Sequence, residues 1–255
     1  MREWIYGRNP VYEVLKAGRR DSFQLLIGQG TQIKDRLADI LNLVKGRKLP
    51  VEQVPRSRLE KIHSHHQGVA LETSKYPYAA LPDILQLAEG RDENILVLIL
   101  DTLQDPQNLG TLLRTGEIVG VHGVLLPYRR TATVTPAVVN ASSGASEHML
   151  VAQVNLAQAM AEIKKQGVWV TGLESGPDAQ PLEEVDLGGP LALVVGGEGQ
   201  GMRSLVRKSC DQLMRLPMRG RVKSLNAAVA GSVALYLAWG ARGYSHWNEK
   251  TGTRP

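Results

Sequence analysis

The sequence predicts an α/β protein in two units: a small one of roughly 75 residues, then a larger one built on a parallel sheet with helices on both faces. Three observations carry that reading. Past residue 90, apolar runs of strand length alternate with segments of helical periodicity. The basic excess is confined to the first third: residues 1–80 hold 14 Lys and Arg against 8 Asp and Glu, whereas the remainder holds 16 against 17. Between the two lies KYPYAALPD (75–83), with two prolines and no periodicity, which marks a boundary. The units are placed at 1–76 and 91–255, with 77–90 as linker.

In the first unit the pattern predicts a helix over about 9–17, the strand FQLLIG, a helix over about 32–45, the strand VEQV, a short helix over about 57–64 and the strand GVALET. In the second, ILVLIL, GVLLP, LVAQV, VWVTGL, LALVVG and QLMRLP read as strands separated by helices. The last helix, from SLNAAVAGSVALYLAWGA, is rich in small residues and apolar over much of its surface, so it packs against the sheet or a partner subunit. The tail EKTGTRP reads as frayed.

With 255 residues and 43% hydrophobic content the chain can bury a sizeable core. No apolar run is long enough to span a bilayer, and MREWIYGRNP lacks the apolar stretch of a signal peptide, so the expectation is a cytoplasmic protein without a membrane partner. One cysteine, Cys210, excludes an internal disulfide framework and reads as a small packing residue. A basic unit joined to a neutral one suggests a polyanion grip, with nucleic acid the leading candidate. Aromatic content of 5% gives phosphate contacts more weight than base stacking. HSHH (63–66) resembles a metal cluster, but the histidines are too closely spaced for a usual site; no metal is expected.

Three segments follow strands and break the ordinary turn pattern, and in an open α/β sheet such segments meet at the ligand-binding edge. DPQNLGTLLRT (105–115) sets Asn108, Gly110 and Arg114 on the first turns of a helix. Asn108 serves as helix cap or as site residue, Gly110 admits another backbone, and Arg114, nearly two turns on, faces the same crevice. LALVVGGEGQGM (191–202) runs a buried strand into glycines around Glu198. Its G-x-G-x-G spacing at the fifth strand argues against a dinucleotide fingerprint. LPMRGRVKSLNAAVAG (216–231) ends a strand and passes through Arg219, Arg221 and Lys223 to Ser224 and Asn226 at a helix start, where Ser224 alone reads as the cap.

Together these segments resemble the SpoU family of RNA 2′-O-ribose methyltransferases, in the SPOUT superfamily. N-x-G-x-x-x-R-T falls on Asn108 to Thr115, the strand plus GGEGxG on Leu193 to Gly201, and P-M-x-G-x-x-x-S-L-N on Pro217 to Asn226; TPAVVNASSGASEHM (135–149) is similar to the family's Ser-Gly-Ala segment. YGRNPVYEVLKAG and HHQGVAL resemble the L30e-like substrate-binding extension of the ribosomal-RNA members. RTGEIVG and SLNAAVA depart from the commoner family sequences at helix-packing rather than polar positions.

The resemblance implies an L30e-like domain before a SPOUT domain with a C-terminal trefoil knot, a homodimer, and S-adenosyl-L-methionine as cofactor. It assigns cofactor contacts to Gly196, Gly197, Leu216, Met218 and Leu225, with Gly172 added at the end of VWVTGL. Catalytic roles fall to Arg114, Asn108, Glu198, Ser224 and Asn226, with Glu198 orienting Arg114 or taking a proton. The resemblance implies Arg114 as a base activated by RNA phosphate; because a guanidinium keeps its proton at ordinary pH, the alternative work of Arg114 is clamping a phosphate and stabilising the alkoxide. The implied reaction is 2′-O-methylation of a guanosine in 23S ribosomal RNA; tRNA methylation and a non-catalytic ribosome assembly factor are the alternatives.

Overall fold

The computed structural model describes residues 2–199, 201–222 and 224–245. Lys223 of the basic loop and the tail EKTGTRP lie outside them. The first unit runs β1 (Arg2–Tyr6), α1 (Arg8–Ala17), β2 (Ser22–Gly28), α2 (Arg36–Gly46), β3 (Val51–Val54), α3 (Arg56–Glu60) and β4 (Val69–Ser74). Its sheet has the order β1-β4-β2-β3, antiparallel except for the β2–β3 pair. β1 is absent from the sequence prediction: an edge strand of REWIY offers little local signal, and its pairing with β4 joins residues some 70 apart.

The second unit runs α4 (Leu81–Arg91), β5 (Leu96–Asp101), α5 (Pro106–Val119), β6 (Gly123–Pro127), α6 (Pro136–Ala141), β7 (Val151–Val154), α7 (Leu156–Lys165), β8 (Trp169–Leu173), β9 (Gln180–Pro181), β10 (Leu191–Gly196), α8 (Ser204–Ser209), β11 (Gln212–Arg215) and α9 (Ala227–Ala241). Most of the segment expected as linker is therefore helix. Leu81, Ile84 and Ala88 of α4 are apolar at helical spacing and enter the core, which outweighs the local proline signal.

The second sheet has the order β7-β6-β5-β10-β8-β11-β9, and every pairing in it is parallel. Side chains alternate across it. Leu96, Leu98 and Leu100 of β5 pack with α5 and α9, while Val97 and Ile99 pack with α4 and α7. The first of these cores continues into the N-terminal unit through Ile5, Val11 and Leu15, so one apolar body joins the two sheets. Helix α9 buries Gly231, Ala234 and Leu235 while leaving Val229, Val233 and Tyr236 exposed. Cys210 packs beside Leu213, and burial pushes its thiol up to about 12, as fits an inert packing residue. No helix among the described residues is long and apolar enough to cross a membrane.

Candidate active site

The C-terminal ends of β5, β10 and β11 carry the three segments singled out in the sequence. Asn108 is not a cap: Asp105 caps α5, accepting from Gln107 N–H at 3.0 Å, and Asn108 sits inside the first turn, nearly buried. Its side-chain amide donates to Glu198 Oε1. Asn226 Nδ2 donates to the same Oε1 at 3.2 Å and to Asn108 Oδ1 at 3.2 Å. Asn226, rather than Ser224, caps α9, accepting from Ala228 and Val229 N–H at 2.9 and 3.2 Å. One residue from each segment thus closes a polar cluster, and Asn226 ties it to a helix start. Ser224 is exposed two residues upstream.

Arg114 lies elsewhere. Six residues along a helix of about 3.6 residues per turn rotate a side chain well away from its starting face, so Arg114 and Asn108 do not share a crevice. Arg114 is exposed, and its Nη1 donates to Ser143 Oγ at 3.2 Å. The predicted contact with Glu198 is replaced by this one; the carboxylate is occupied by two amides instead.

The glycines act by close approach, though mainly to the chain itself. A Cβ on Gly110 would lie 2.4 Å from Ala141 Cβ and 2.9 Å from Ser142 N, so this glycine lets α5 cross the end of α6. A Cβ on Gly197 would lie 2.4 Å from Thr102 O, and one on Gly196 would lie 2.3 Å from Gly201 C. These positions fold the loop after β10 back on itself and against the loop after β5. Gly172 lies within β8, where a Cβ would strike Leu213 of the paired strand β11, Met202 and Cys210; close packing within the catalytic unit accounts for it.

Sequence reasoning missed the anchor of this loop. Asp101, the fully buried acid ending β5, accepts from Arg203 N–H and Nε, both at 2.7 Å, and so holds the far end of the glycine turn. An acid closing an otherwise apolar strand was the available signal.

Leu216, Met218 and Leu225 lie on the segment joining β11 to α9. Met218 and Leu225 are 45% and 46% exposed. Apolar side chains left uncovered on the segment that joins the glycine-built turn through Asn226 and Glu198 fit S-adenosylmethionine. A separate cavity of about 470 Å³ at the same sheet edge is lined by Tyr128, Arg129, Arg130, Asn155, Arg203 and Leu205. None of the predicted site residues faces it.

The histidines of HSHH serve the fold. His63 stacks on Tyr6 with ring centroids 4.0 Å apart, and buried His66 accepts Gly68 N–H on Nδ1 at 2.8 Å. Among the described residues no group of His, Cys, Asp and Glu could hold a metal ion.

Known proteins share this organisation. Residues 95–236 match the model of the SpoU rRNA Methylase family, and residues 4–79 match that of the RNA 2′-O ribose methyltransferase substrate-binding region. The Bacillus subtilis (strain 168) protein YacO, provisionally named a TrmH family tRNA/rRNA methyltransferase, is 40% identical over 242 residues, covering 94% of this chain and 96% of its own. Among solved structures, the SpoU methyltransferase AviRb from Streptomyces viridochromogenes, in complex with AdoMet, covers 96% of this chain and 92% of its own at a TM-score of 0.79 and 21% identity, which shows a common fold. The A. aeolicus TrmH/SpoU tRNA modifying enzyme has a TM-score of 0.54 at 25% identity and covers 64% of this chain and 81% of its own. With both units matched in order and Asn108, Glu198 and Asn226 gathered from the three motifs at one sheet edge, the chain belongs to the SpoU family of RNA methyltransferases.

Proposed function

We propose that this enzyme methylates the 2′-hydroxyl of a guanosine in 23S ribosomal RNA, with residues 1–76 as the RNA-binding domain, 77–90 as the connection and 91–255 as the catalytic domain. The observation that carries the choice of RNA is the basic N-terminal unit, +6 over residues 1–80, docked beside Arg114 and Ser143. In support, the A. aeolicus tRNA-modifying structure covers only 64% of this chain.

S-adenosylmethionine, the donor that SpoU methylases use, supplies the methyl group. Gly196, Gly197, Leu216, Met218 and Leu225 would hold it, through backbone groups and apolar contact, on a turn stiffened by Asp101 and Arg203. Within one chain Arg114 does not share the crevice of Glu198, so in the proposed homodimer it reaches the site across the interface, where it clamps the phosphate beside the target ribose and stabilises the developing alkoxide. Glu198 is the proton acceptor: both amides donate to Oε1, and Oε2 has no partner among the described residues. Asn108 and Asn226 aim that carboxylate, and Ser224 positions the ribose. The segment from β11 to α9 carries the family's trefoil knot. The exposed Val229, Val233 and Tyr236 of α9 form the homodimer face.

The test is transfer of labelled methyl to protein-free 23S rRNA, with the product mapped by primer extension sensitive to 2′-O-methylation. One methylated guanosine, lost by roughly 100-fold or more in Arg114→Ala, is the expected result. Transfer to tRNA alone overturns the choice of RNA, and binding without transfer to either turns the reading toward an assembly factor.

A further inference from the structure

The segment between α6 and β7 is built into both units. Ser143, the partner of Arg114, has φ +54°, a left-handed conformation that L residues adopt only when their surroundings impose it. Gly144 follows at φ +89°, where a Cβ would lie 2.5 Å from Glu13 Cβ and 3.4 Å from Pro10 Cα, both on α1. The turn therefore has its shape with α1 seated against it.

Three residues on, Glu147 enters the opposite unit. Its two oxygens accept from Arg20 Nε at 2.7 Å and Nη2 at 2.8 Å, a bidentate pair whose side chains are 1% and 0% exposed. Arg20 also pairs with Glu3. Tyr76 Oη reaches Met149 O at 2.7 Å and Ser146 O at 3.1 Å, and burial pushes its phenol up to about 12. Arg19 donates to Met149 O, and His148 Nε2 lies 2.8 Å from Glu13 Oε2. A carboxylate does not remain buried without its partner, so residues 142–148 depend for this conformation on groups from the N-terminal unit.

We infer that this turn transmits docking of the RNA-binding unit to the catalytic arginine: Arg20 and Glu147 are positioning residues that act on Arg114 through Ser143. The inference rests on the role of Arg114 proposed above. Its physical reason is that Arg114 is a long, exposed side chain with one hydrogen-bond partner among the described residues, and an error of about 1 Å in a positioned group can cost on the order of 100-fold in rate.

The experiment uses the full chain. Arg20→Met combined with Glu147→Leu removes both charges of the fully buried pair together, and Glu3, whose side chain is 18% exposed, keeps access to solvent. Two readouts follow: turnover on protein-free 23S rRNA, and the side-chain Nε resonance of Arg114, assigned by its disappearance in Arg114→Lys. The resonance is expected to shift in the paired variant as it does in Ser143→Ala. The kcat is expected to fall roughly tenfold, and adding Ser143→Ala to the paired variant costs nothing further. Tyr76→Phe, the milder change if the paired variant does not fold, shifts the same resonance and lowers kcat less. An unmoved resonance, a parent-like kcat, or a loss confined to KM for RNA overturns the coupling. A parent inactive on 23S rRNA overturns the proposed substrate, while the resonance still decides whether the coupling exists.

Discussion

Helix α5 presents two of the proposed site residues, and they are held in different ways. At its first turn Asn108 is locked by Glu198 and Asn226, both from loops at the same sheet edge. Further along, Arg114 rests on Ser143, whose turn is shaped by α1 of the other unit. The cluster is a property of the catalytic unit alone; the arginine's position is a property of the assembled chain. Substitutions in the cluster should therefore leave the arginine's position unchanged, and substitutions at the seam should leave methyl-donor binding unchanged.

The sharpest way to break that division is Gly197→Ala. Its Cβ would meet Thr102 O, a backbone atom that cannot swing aside, at 2.4 Å, so we expect a stability loss of about 2 to 3 kcal/mol and weak S-adenosylmethionine binding by calorimetry, with the Arg114 resonance unmoved. A resonance that moved with it would merge the two regions into one.

Asn226→Ala comes next. It removes an N-cap, worth about 1 kcal/mol, and two of the three hydrogen bonds in the cluster. Denaturant unfolding should show that loss, with methyl-donor affinity reduced; Ser143→Ala should leave both unchanged. Equal effects of the two substitutions on donor affinity would erase the distinction.

The smallest effect is one of pH, and it belongs to neither end of α5. His66 and His122 are held below the usual histidine value of 6.5, in each case chiefly by burial; Arg56 adds to this at His66, and Glu93 opposes it at His122. In the folded state both resist protonation, so the unfolded chain binds more protons on acidification. Their contribution is complete above about 6.5 and declines as pH falls below it. Unfolding free energy should drop from about pH 7 to about pH 5, and His66→Asn should flatten part of that slope. A slope identical in His66→Asn would assign it to other groups.

What the sequence disclosed follows the same division. The second sheet was legible because its strands are nearly pure apolar runs, and GVLLP and LALVVG are strands over those very residues. The cluster was legible because each member lies in a motif at the end of a strand. β1 was not, since its register is set by β4 some 70 residues away. Nor was α4, where Pro82, with Pro77 just ahead of the helix, outweighed the apolar spacing to the eye but not to the core. Asp101 with Arg203, and Ser143 beneath Arg114, depend on side chains that meet only after the loops close. Caps shifted by a few residues, from Ser224 to Asn226 and from Asn108 to Asp105, because capping is chosen by the helix's first turn and not by residue type alone.

The paired ions at Arg20 and Glu147 also bear on how freely the two units can be exchanged between relatives. A chimaera that grafts a different leading unit onto this catalytic unit inherits a carboxylate at its seam that needs a guanidinium from the newcomer. Grafts that bring an arginine to that place join cleanly, and those that do not leave a charge without a counterion. The seam is a lock with its own key, and it narrows the repertoire of leading units, and so of RNA shapes, that this catalytic unit can acquire.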